Sequence, residues 1–394
     1  MIIKKIESIM TDKGESPFFS FESVLSVLSI LYGGAVKLRE TFYKKGFLKS
    51  EKLPCKVISV GNLTVGGTGK TPVTICLAEM LNSLGYKVAV LSRGYRGKEE
   101  KHGGIVSDGH RIFMDADMAG DEPFMMASNL KNIPVIVGKN RFESGMLAVK
   151  EFQPDIIVLD DAFQHLRLRR DINLVLSDYH RPFGNKHLLP RGTLREPLSA
   201  LLRGDAFILT GTDDGPGSPI SEELGKMAES RPVFRAFHIP YICKTIAGTG
   251  SETFFNPDGA ETGAGFRRVP GNSKSSLQVE KNRTDTGILK GCSVFAFSGI
   301  AKNKRFHKSV ESLGGNISGA AEFPDHHRYS ENDFSGILRS AAESGADILV
   351  TTEKDHARIR KVRWPIDLAV IGIKISFGDD ENRFVSFIQN RLSL

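Results

Sequence analysis

An α/β fold is predicted from three features: short apolar, β-rich runs alternate with helix-length segments, a glycine-rich turn closes the first run, and a second alternating set follows residue 290. At 394 residues and about 150 per domain, the chain accommodates two or three domains with packed cores. Hydrophobic residues at 40% and charged residues at 25% exclude a disordered or collagen-like chain. Lysine and arginine total 53 against 46 acidic residues, a net charge of +7. That balance favours an anionic partner such as nucleic acid, nucleotide or acidic lipid without choosing among them. Cys55, Cys76, Cys243 and Cys292 lie far apart with no CxxC pair, which argues against a zinc knuckle or dense disulfide framework and fits a reducing, cytosolic setting.

The first fifteen residues are mostly polar and charged, so no secretory signal is expected. From Phe18 to Val36 the single charge is Glu22, a length near the roughly 20 residues of a membrane span. Ser20, Ser23, Ser26 and Ser29 interrupt that run at every third position, making a slanted polar stripe, and Lys37, Arg39, Lys44, Lys45 and Lys49 follow. A helix on the protein's own core, an interfacial membrane helix and a true span are all compatible with this pattern. Residues 1–50 are therefore expected to form a membrane-associating amphipathic helix and basic linker.

Residues 51–232 carry apolar runs at Val57–Val60, Val88–Leu91, Val135–Val137, Ile156–Leu159, Ile172–Leu176 and Phe207–Leu209, with helices expected over Val73–Leu84 and Phe142–Phe152. Continuous apolar strands between helices indicate a mostly parallel sheet covered on both faces. Residues 233–394 make a second lobe, with strands at Ser293–Phe297, Ile348–Thr351 and Ala369–Ile375 and helices near Arg305–Leu313 and Glu331–Glu343. Within it, 248–290 turns to Gly, Ser, Thr, Asn and charges without periodicity, the pattern of an exposed insertion to which no chemistry is assigned. No internal repeat is present.

The strongest motif is VISVGNLTVGGTGKT, Val57 to Thr71, a strand feeding a glycine-rich turn that opens a helix. Gly66, Gly67, Thr68 and Gly69 let backbone N–H groups close around phosphates, Lys70 places a cation against the β/γ-phosphates, and Thr71 offers a hydroxyl to Mg²⁺. The G-x-x-x-x-G-K-[ST] template would put its first glycine at Thr64, so the match is imperfect. Next, IIVLDD ends an apolar strand in Asp160 and Asp161, positions from which one or both carboxylates can hold Mg²⁺. Phe163, Gln164 and His165 follow at once.

Three further clusters have bland alternatives. Gly120-Asp121-Glu122-Pro123 is a loop whose carboxylates precede a helix, where capping is the simple explanation. In LLPRGTLREP, Arg195 can stabilise transferring phosphate and Glu196 can join a metal shell, although a surface ion pair is equally economical. Asp325, His326 and His327 carry metal-ligand chemistry, but neighbours on one loop do not make a closed site.

Taken in order, VGNLTVGGTGKTP, SRGY (Ser92–Tyr95), GDEP, LDDAFQH, LLPRGTLREP, FSGIAKNKRF (Phe297–Phe306), Asp325-His326 and TEKD (Thr352–Asp355) resemble the tetraacyldisaccharide 4′-kinases of lipid A biosynthesis. The resemblance covers the chain from about Ser16 past Thr352, leaving out 248–290 and insertions near GDEP. It implies two P-loop-like α/β lobes with an N-terminal membrane-contacting helix. It also implies transfer of the γ-phosphate of ATP, with Mg²⁺, to the 4′-hydroxyl of a tetraacyl glucosamine disaccharide 1-phosphate. By matching position, Lys70 and Thr71 would bind ATP phosphates and Mg²⁺, with Asp160, Asp161 and Glu196 around the metal. Asp121 would be the catalytic carboxylate and His326 its dyad partner, while Tyr95, Arg141, Gln164, His165 and Arg195 would lie around phosphate or the lipid headgroup. The expected setting is the cytoplasmic face of the bacterial inner membrane, peripheral or monotopic, on an anionic surface, with neither nucleic acid nor an obligate protein partner.

Two other functions are compatible with parts of the pattern. A P-loop GTPase or metal-insertion NTPase also uses a strand-terminal Asp and Mg²⁺, but the TEKD at Thr352–Asp355 lies too late to be a guanine-reading element. A nucleotide-gated membrane-binding module would use the basic N-terminus and make no phosphorylated product. Basic residues do not alternate with aromatics in the manner of nucleic-acid binding.

Overall fold

Helix α1, Phe21–Lys44, buries a stripe of its residues, Leu25 and Ser29 most deeply, and leaves Val24, Val27, Ile30 and Leu31 exposed. The computed structural model describes residues 10, 21–211, 225, 231–255, 287–359 and 362–392. Its chain divides into two units, Met1–His238 with Ile375–Leu394, and Ile239–Lys374.

In the first unit the apolar runs become β1 (Lys56–Asn62), β2 (Val88–Ser92), β3 (Gly104–Ser107), β4 (Val135–Val137), β5 (Ile156–Asp160), β6 (Ile172–Asp178), β7 (Ala206–Thr210) and the start of β8 (Val233–Ile246). Their order is β3-β4-β2-β5-β1-β6-β7-β8, all parallel except the β3–β4 pair. β1 pairs with β5 on one side, Val57 opposite Ile157, and with β6 on the other, Ile58 opposite Ile172, so its carboxyl end lies mid-sheet. Helix α2 spans Lys70–Ser83, starting three residues ahead of the apolar pattern. Pro72 does not prevent this, because the first turn of a helix has no intrahelical use for its N–H groups. Leu77 and Leu81 of α2 are fully buried, each stabilising by about 1.5–3 kcal/mol. Helices α3 (Ala116–Ala119), α4 (Asp121–Asn129) and α5 (Arg141–Phe152) complete this stretch.

The second unit continues β8 and adds β9 (Glu252–Phe254), β10 (Ser293–Ser298), α6 (Asn303–Ser312), β11 (Asn316–Glu322), α7 (Glu331–Glu343), β12 (Ile348–Thr352), α8 (Glu353–Ile359) and most of β13 (Leu368–Ser376). β10, β11, β12 and β13 form a parallel set in the order β11-β10-β12-β13. Ser330 closes a capping box with Asp333 at the start of α7, and Phe297, Phe334 and Trp364 pack in the core behind it.

Three expectations change. The composition of 248–290 predicts an unstructured insertion, yet its first residues form β9, antiparallel to β8, with Lys244 paired to Glu252 at 2.7 Å. Residues 256–286 of that segment lie outside the described residues. β11, with the sequence NISGAAE, lacks the β-branched run that marks its neighbours; its partner β10 holds it in place. The lobes are not consecutive either: helix α9, Glu381–Leu392, belongs to the first unit. Its Phe384, Ile388 and Leu392 are fully buried, and Phe384 stacks on Phe377 at 4.2 Å and meets Phe234 edge-on at 5.0 Å.

Candidate active site

The turn after β1 is shaped by close approaches. Gly69 has φ +80°, and a Cβ there would stand 2.6 Å from His238 Nε2, so no other residue fits without displacement. Thr68 is buried; its Oγ1 accepts from Asn62 Nδ2 at 2.8 Å and its carbonyl accepts from Thr210 Oγ1 at 2.9 Å. Gly66 and Gly67 are exposed, leaving their backbone open beside the N-terminus of α2, whose free N–H groups and dipole favour an anion. Thr71, in that first turn, is 7% exposed.

Two cations converge on one carboxylate next to this turn. Lys70 Nζ lies 3.7 Å from Asp161 Oδ2 and donates to Asn62 Oδ1 at 3.3 Å. Arg195 Nη1 contacts both oxygens of Asp161 at 2.9 Å. Desolvation opposes the charge of Asp161, but Lys70 and Arg195 outweigh it and hold the carboxyl below its usual range. Asp161 itself has φ +45°, a strained conformation that turns its side chain back after β5.

Asp160, the last residue of β5, is in the opposite state. It is 1% exposed and accepts from Thr74 Oγ1 and Ser92 Oγ, both at 3.2 Å. Burial, then the carboxylates of Glu122 and Asp161, push its carboxyl up to about 7. A desolvated carboxylate among like charges is the environment that a divalent cation relieves. Among the described residues no three His, Cys, Asp or Glu side chains converge as a metal-holding group. Mg²⁺ needs no such group, since it takes one or two carboxylates and completes its shell with water and phosphate.

The other expected residues fall into three groups. Gln164 Nε2 donates to the Asn62 carbonyl at 2.8 Å and reaches Glu196 Oε2 at 3.5 Å, so it sits at the turn. Glu196 is 2% exposed and ion-paired with Arg203, so its carboxylate is already engaged by a cation. Arg141 differs most from the expected headgroup contact: it is 3% exposed, and its guanidinium braces the backbone carbonyls of Gly138 and Asp160. His165 Nε2 is buried with no hydrogen-bond partner among the described residues. Burial, followed by the charges of Arg141, Arg170, Arg39 and Arg167, pushes its imidazole down to about 4, leaving it neutral. Tyr95 is 51% exposed with Arg96 over its ring. Asp121 opens α4 after Gly120, whose Cβ would meet the Tyr95 carbonyl at 2.9 Å; this ties GDEP to SRGY.

His326 lies in the second unit with φ +61°. Lys354 Nζ is 3.2 Å from its Nε2, and Arg358 Nη2 is 3.2 Å from its Nδ1. His327 Nε2 pairs with Asp333 at 3.1 Å, so the two histidines face different partners, neither set resembling a metal shell. Asp355 of TEKD is fully buried, accepting from the Gly299 N–H and the Thr352 hydroxyl and pairing with Arg358. It is thus a brace, which removes it as a base reader. Thr74, Ser92 and His238 carry no motif signal for the site, because each reaches it through contacts distant in sequence; Asn62 lies within the strand–turn motif itself and acts locally, on Thr68 and Lys70. Glu122, likewise, was within GDEP and its charge is felt at Asp160.

The family model described as tetraacyldisaccharide-1-P 4'-kinase matches residues 21–393. A tetraacyldisaccharide 4'-kinase of Desulfatibacillum aliphaticivorans is 38% identical over 99% of this chain and 98% of its own length. A relative of the same name from Syntrophus aciditrophicus is 42% identical over 88% of this chain and 86% of its own. Among solved structures, LpxK from Aquifex aeolicus, crystallised in complex with ATP, is 31% identical and superposes with a TM-score of 0.68 over 95% of this chain and all of that one.

Proposed function

The chain belongs to the tetraacyldisaccharide-1-P 4'-kinase family, and we propose that Lys70, Arg195 and Asp121 carry the phosphoryl transfer that defines it. It is an ATP-dependent kinase that phosphorylates the 4′-hydroxyl of a tetraacyl glucosamine disaccharide 1-phosphate in lipid A biosynthesis. Membership sets aside the GTPase, metal-insertion and non-enzymatic alternatives.

Phosphoryl transfer asks mostly for positioning and charge neutralisation. The observation that carries the assignment is the convergence of Lys70 and Arg195 on Asp161 beside the open backbone of Gly66 and Gly67. Asp161 keeps both cations aligned before substrate arrives. Phosphate oxygens entering at the α2 N-terminus then compete with that carboxylate for them, and the cations stabilise charge on the group in transit. Thr71 and Asp160 are the residues that would hold Mg²⁺, which when bound neutralises charge on the β- and γ-phosphates. Asp121 accepts the hydroxyl proton as the sugar oxygen attacks. On the family resemblance, we assign His326 as its partner in that proton transfer. Gln164 holds the turn, Glu196 fixes Arg203, and Tyr95, half exposed, is assigned to the headgroup.

A lipid surface as working partner is supported by α1. This helix is long and apolar enough by composition to cross a membrane. Its outer stripe exposes Val24, Val27, Ile30, Leu31 and Leu38, and Lys37, Lys44, Lys45 and Lys49 suit anionic headgroups. Contacts from Ser26 to Glu40 with the rest of the first unit favour a helix lying at the interface over one passing through it.

The test is incubation of purified protein with ATP, Mg²⁺ and the disaccharide 1-phosphate, followed by weighing of the product. Lys70→Ala should lower kcat by roughly 100-fold or more in a folded protein. A normal rate in that variant refutes the assignment.

A further inference from the structure

The inner face of α1 is attached to the segment that carries Arg195. Ser29 Oγ donates to the Leu188 carbonyl at 2.8 Å and accepts from the Arg191 N–H at 3.0 Å. One turn on, the Tyr32 hydroxyl donates to the carbonyl of Arg195 itself at 2.8 Å. Two turns further, Glu40 lies 3.2 Å from Arg203 Nη1, and the same guanidinium pairs with Glu196. The opposite edge of this segment bonds to the chain entering the nucleotide turn: the Arg195 N–H donates to the Leu63 carbonyl at 2.7 Å and the Val65 N–H to the Thr193 carbonyl at 2.8 Å. The segment is therefore held between α1 and the phosphate-binding turn, with the Arg195 guanidinium delivered to Asp161 at 2.9 Å.

We propose that α1 is a positioning element of the active site, which uses Tyr32, Ser29 and the Glu40–Arg203–Glu196 chain of contacts to set the segment that brings Arg195 to Asp161. This deepens the assignment of Arg195 and rests on it. The serine and tyrosine face is committed to protein, while the apolar face of the same helix remains open. Tyr32 and Glu40 are positioning residues: they touch the Arg195 backbone and the Arg203 guanidinium, and each acts on turnover through Arg195.

The test uses the full chain. Tyr32→Phe is isosteric and deletes one hydroxyl; Glu40→Gln removes one charge of the contact chain. Turnover and KM for ATP are measured with substrate in detergent micelles, and binding to vesicles of phosphatidylethanolamine and phosphatidylglycerol is measured by sedimentation. Each variant is expected to lose about three- to tenfold in kcat, the size of one well-placed hydrogen bond, with vesicle binding within about twofold of wild type. In an Arg195→Lys background, Tyr32→Phe should change kcat by less than about twofold, because the interaction it supports is already broken. Normal kcat in both variants, losses that only parallel lost vesicle binding, or fully multiplicative losses with Arg195→Lys would overturn the proposal. If Arg195→Lys alone retains normal kcat, the assignment of Arg195 fails first, a result distinguishable from additivity. Wild-type protein that ignores vesicles would sink the lipid-surface reading while leaving this one standing.

Discussion

Asp160→Asn should stabilise the ligand-free protein, and increasingly so as pH rises. The carboxyl of Asp160 is pushed up to about 7 by burial and by Glu122 and Asp161, against an ordinary value of 3.8. For an acid raised in the folded state, the native protein holds more protons than the unfolded chain between those two values. Its contribution to stability therefore falls as pH climbs through that window and levels off above the folded value. From pH 5 to pH 8 the wild type should lose roughly 2–3 kcal/mol through this group, at about 1.4 kcal/mol for each pH unit travelled inside the window. The replacement amide keeps the shape of the carboxyl and can still pair with the Thr74 and Ser92 hydroxyls, which donate or accept. The assay is thermal unfolding of both proteins in EDTA. The variant's advantage in Tm should widen by roughly 5 °C between pH 5 and pH 8, given about 2 °C per kcal/mol for a folding unit of this size. Adding Mg²⁺ and ATP at pH 8 should then raise the Tm of wild type more than that of the variant. A Tm difference constant with pH to within about 1 °C would show that Asp160 carries no such penalty and would withdraw the electrostatic case for a cation beside it.

Two more outcomes follow from the site and the helix. Asp121→Ala and His326→Ala should each lower kcat about 100-fold or more with the KM for ATP within about threefold, and the double variant should be little worse than the poorer single; multiplicative losses would separate their roles. Changing Val27, Ile30 and Leu31 together to serine, which leaves the inner face of α1 untouched, should weaken sedimentation with anionic vesicles about tenfold or more while micellar kcat stays within about twofold; unchanged sedimentation would remove the helix as anchor.

Much of this protein was legible in local sequence because the physics that produced it is local. The runs at Val57, Val88, Ile156 and Ile172 are buried on both sheet faces, so each reads as continuous apolar residues whatever its partner. The turn from Gly66 to Thr71 declares a phosphate site because glycine freedom and a helix start are properties of adjacent residues. Strands poor in β-branched residues such as β11, and the return of α9 to the first unit, carry no local signature; pairing and burial against distant chain decide them.

The division is sharpest at charged and polar positions. Sequence alone placed Asp160 and Asp161 side by side and could not tell them apart. The tertiary structure drives one towards protonation by burial and the charge of Glu122, and holds the other ionised between Lys70 and Arg195, residues 91 and 34 positions away. Arg141 carried an arginine's promise of ligand binding until burial committed it to two backbone carbonyls. The serines of α1 were visible as a stripe, but only folding brought Leu188, Arg191 and Arg195 to face that helix. Chain periodicity sets which residues share a face; what that face meets depends on the packing of segments far apart in sequence, and from that packing come the field, the solvation and the hydrogen-bond partners that give a side chain its role.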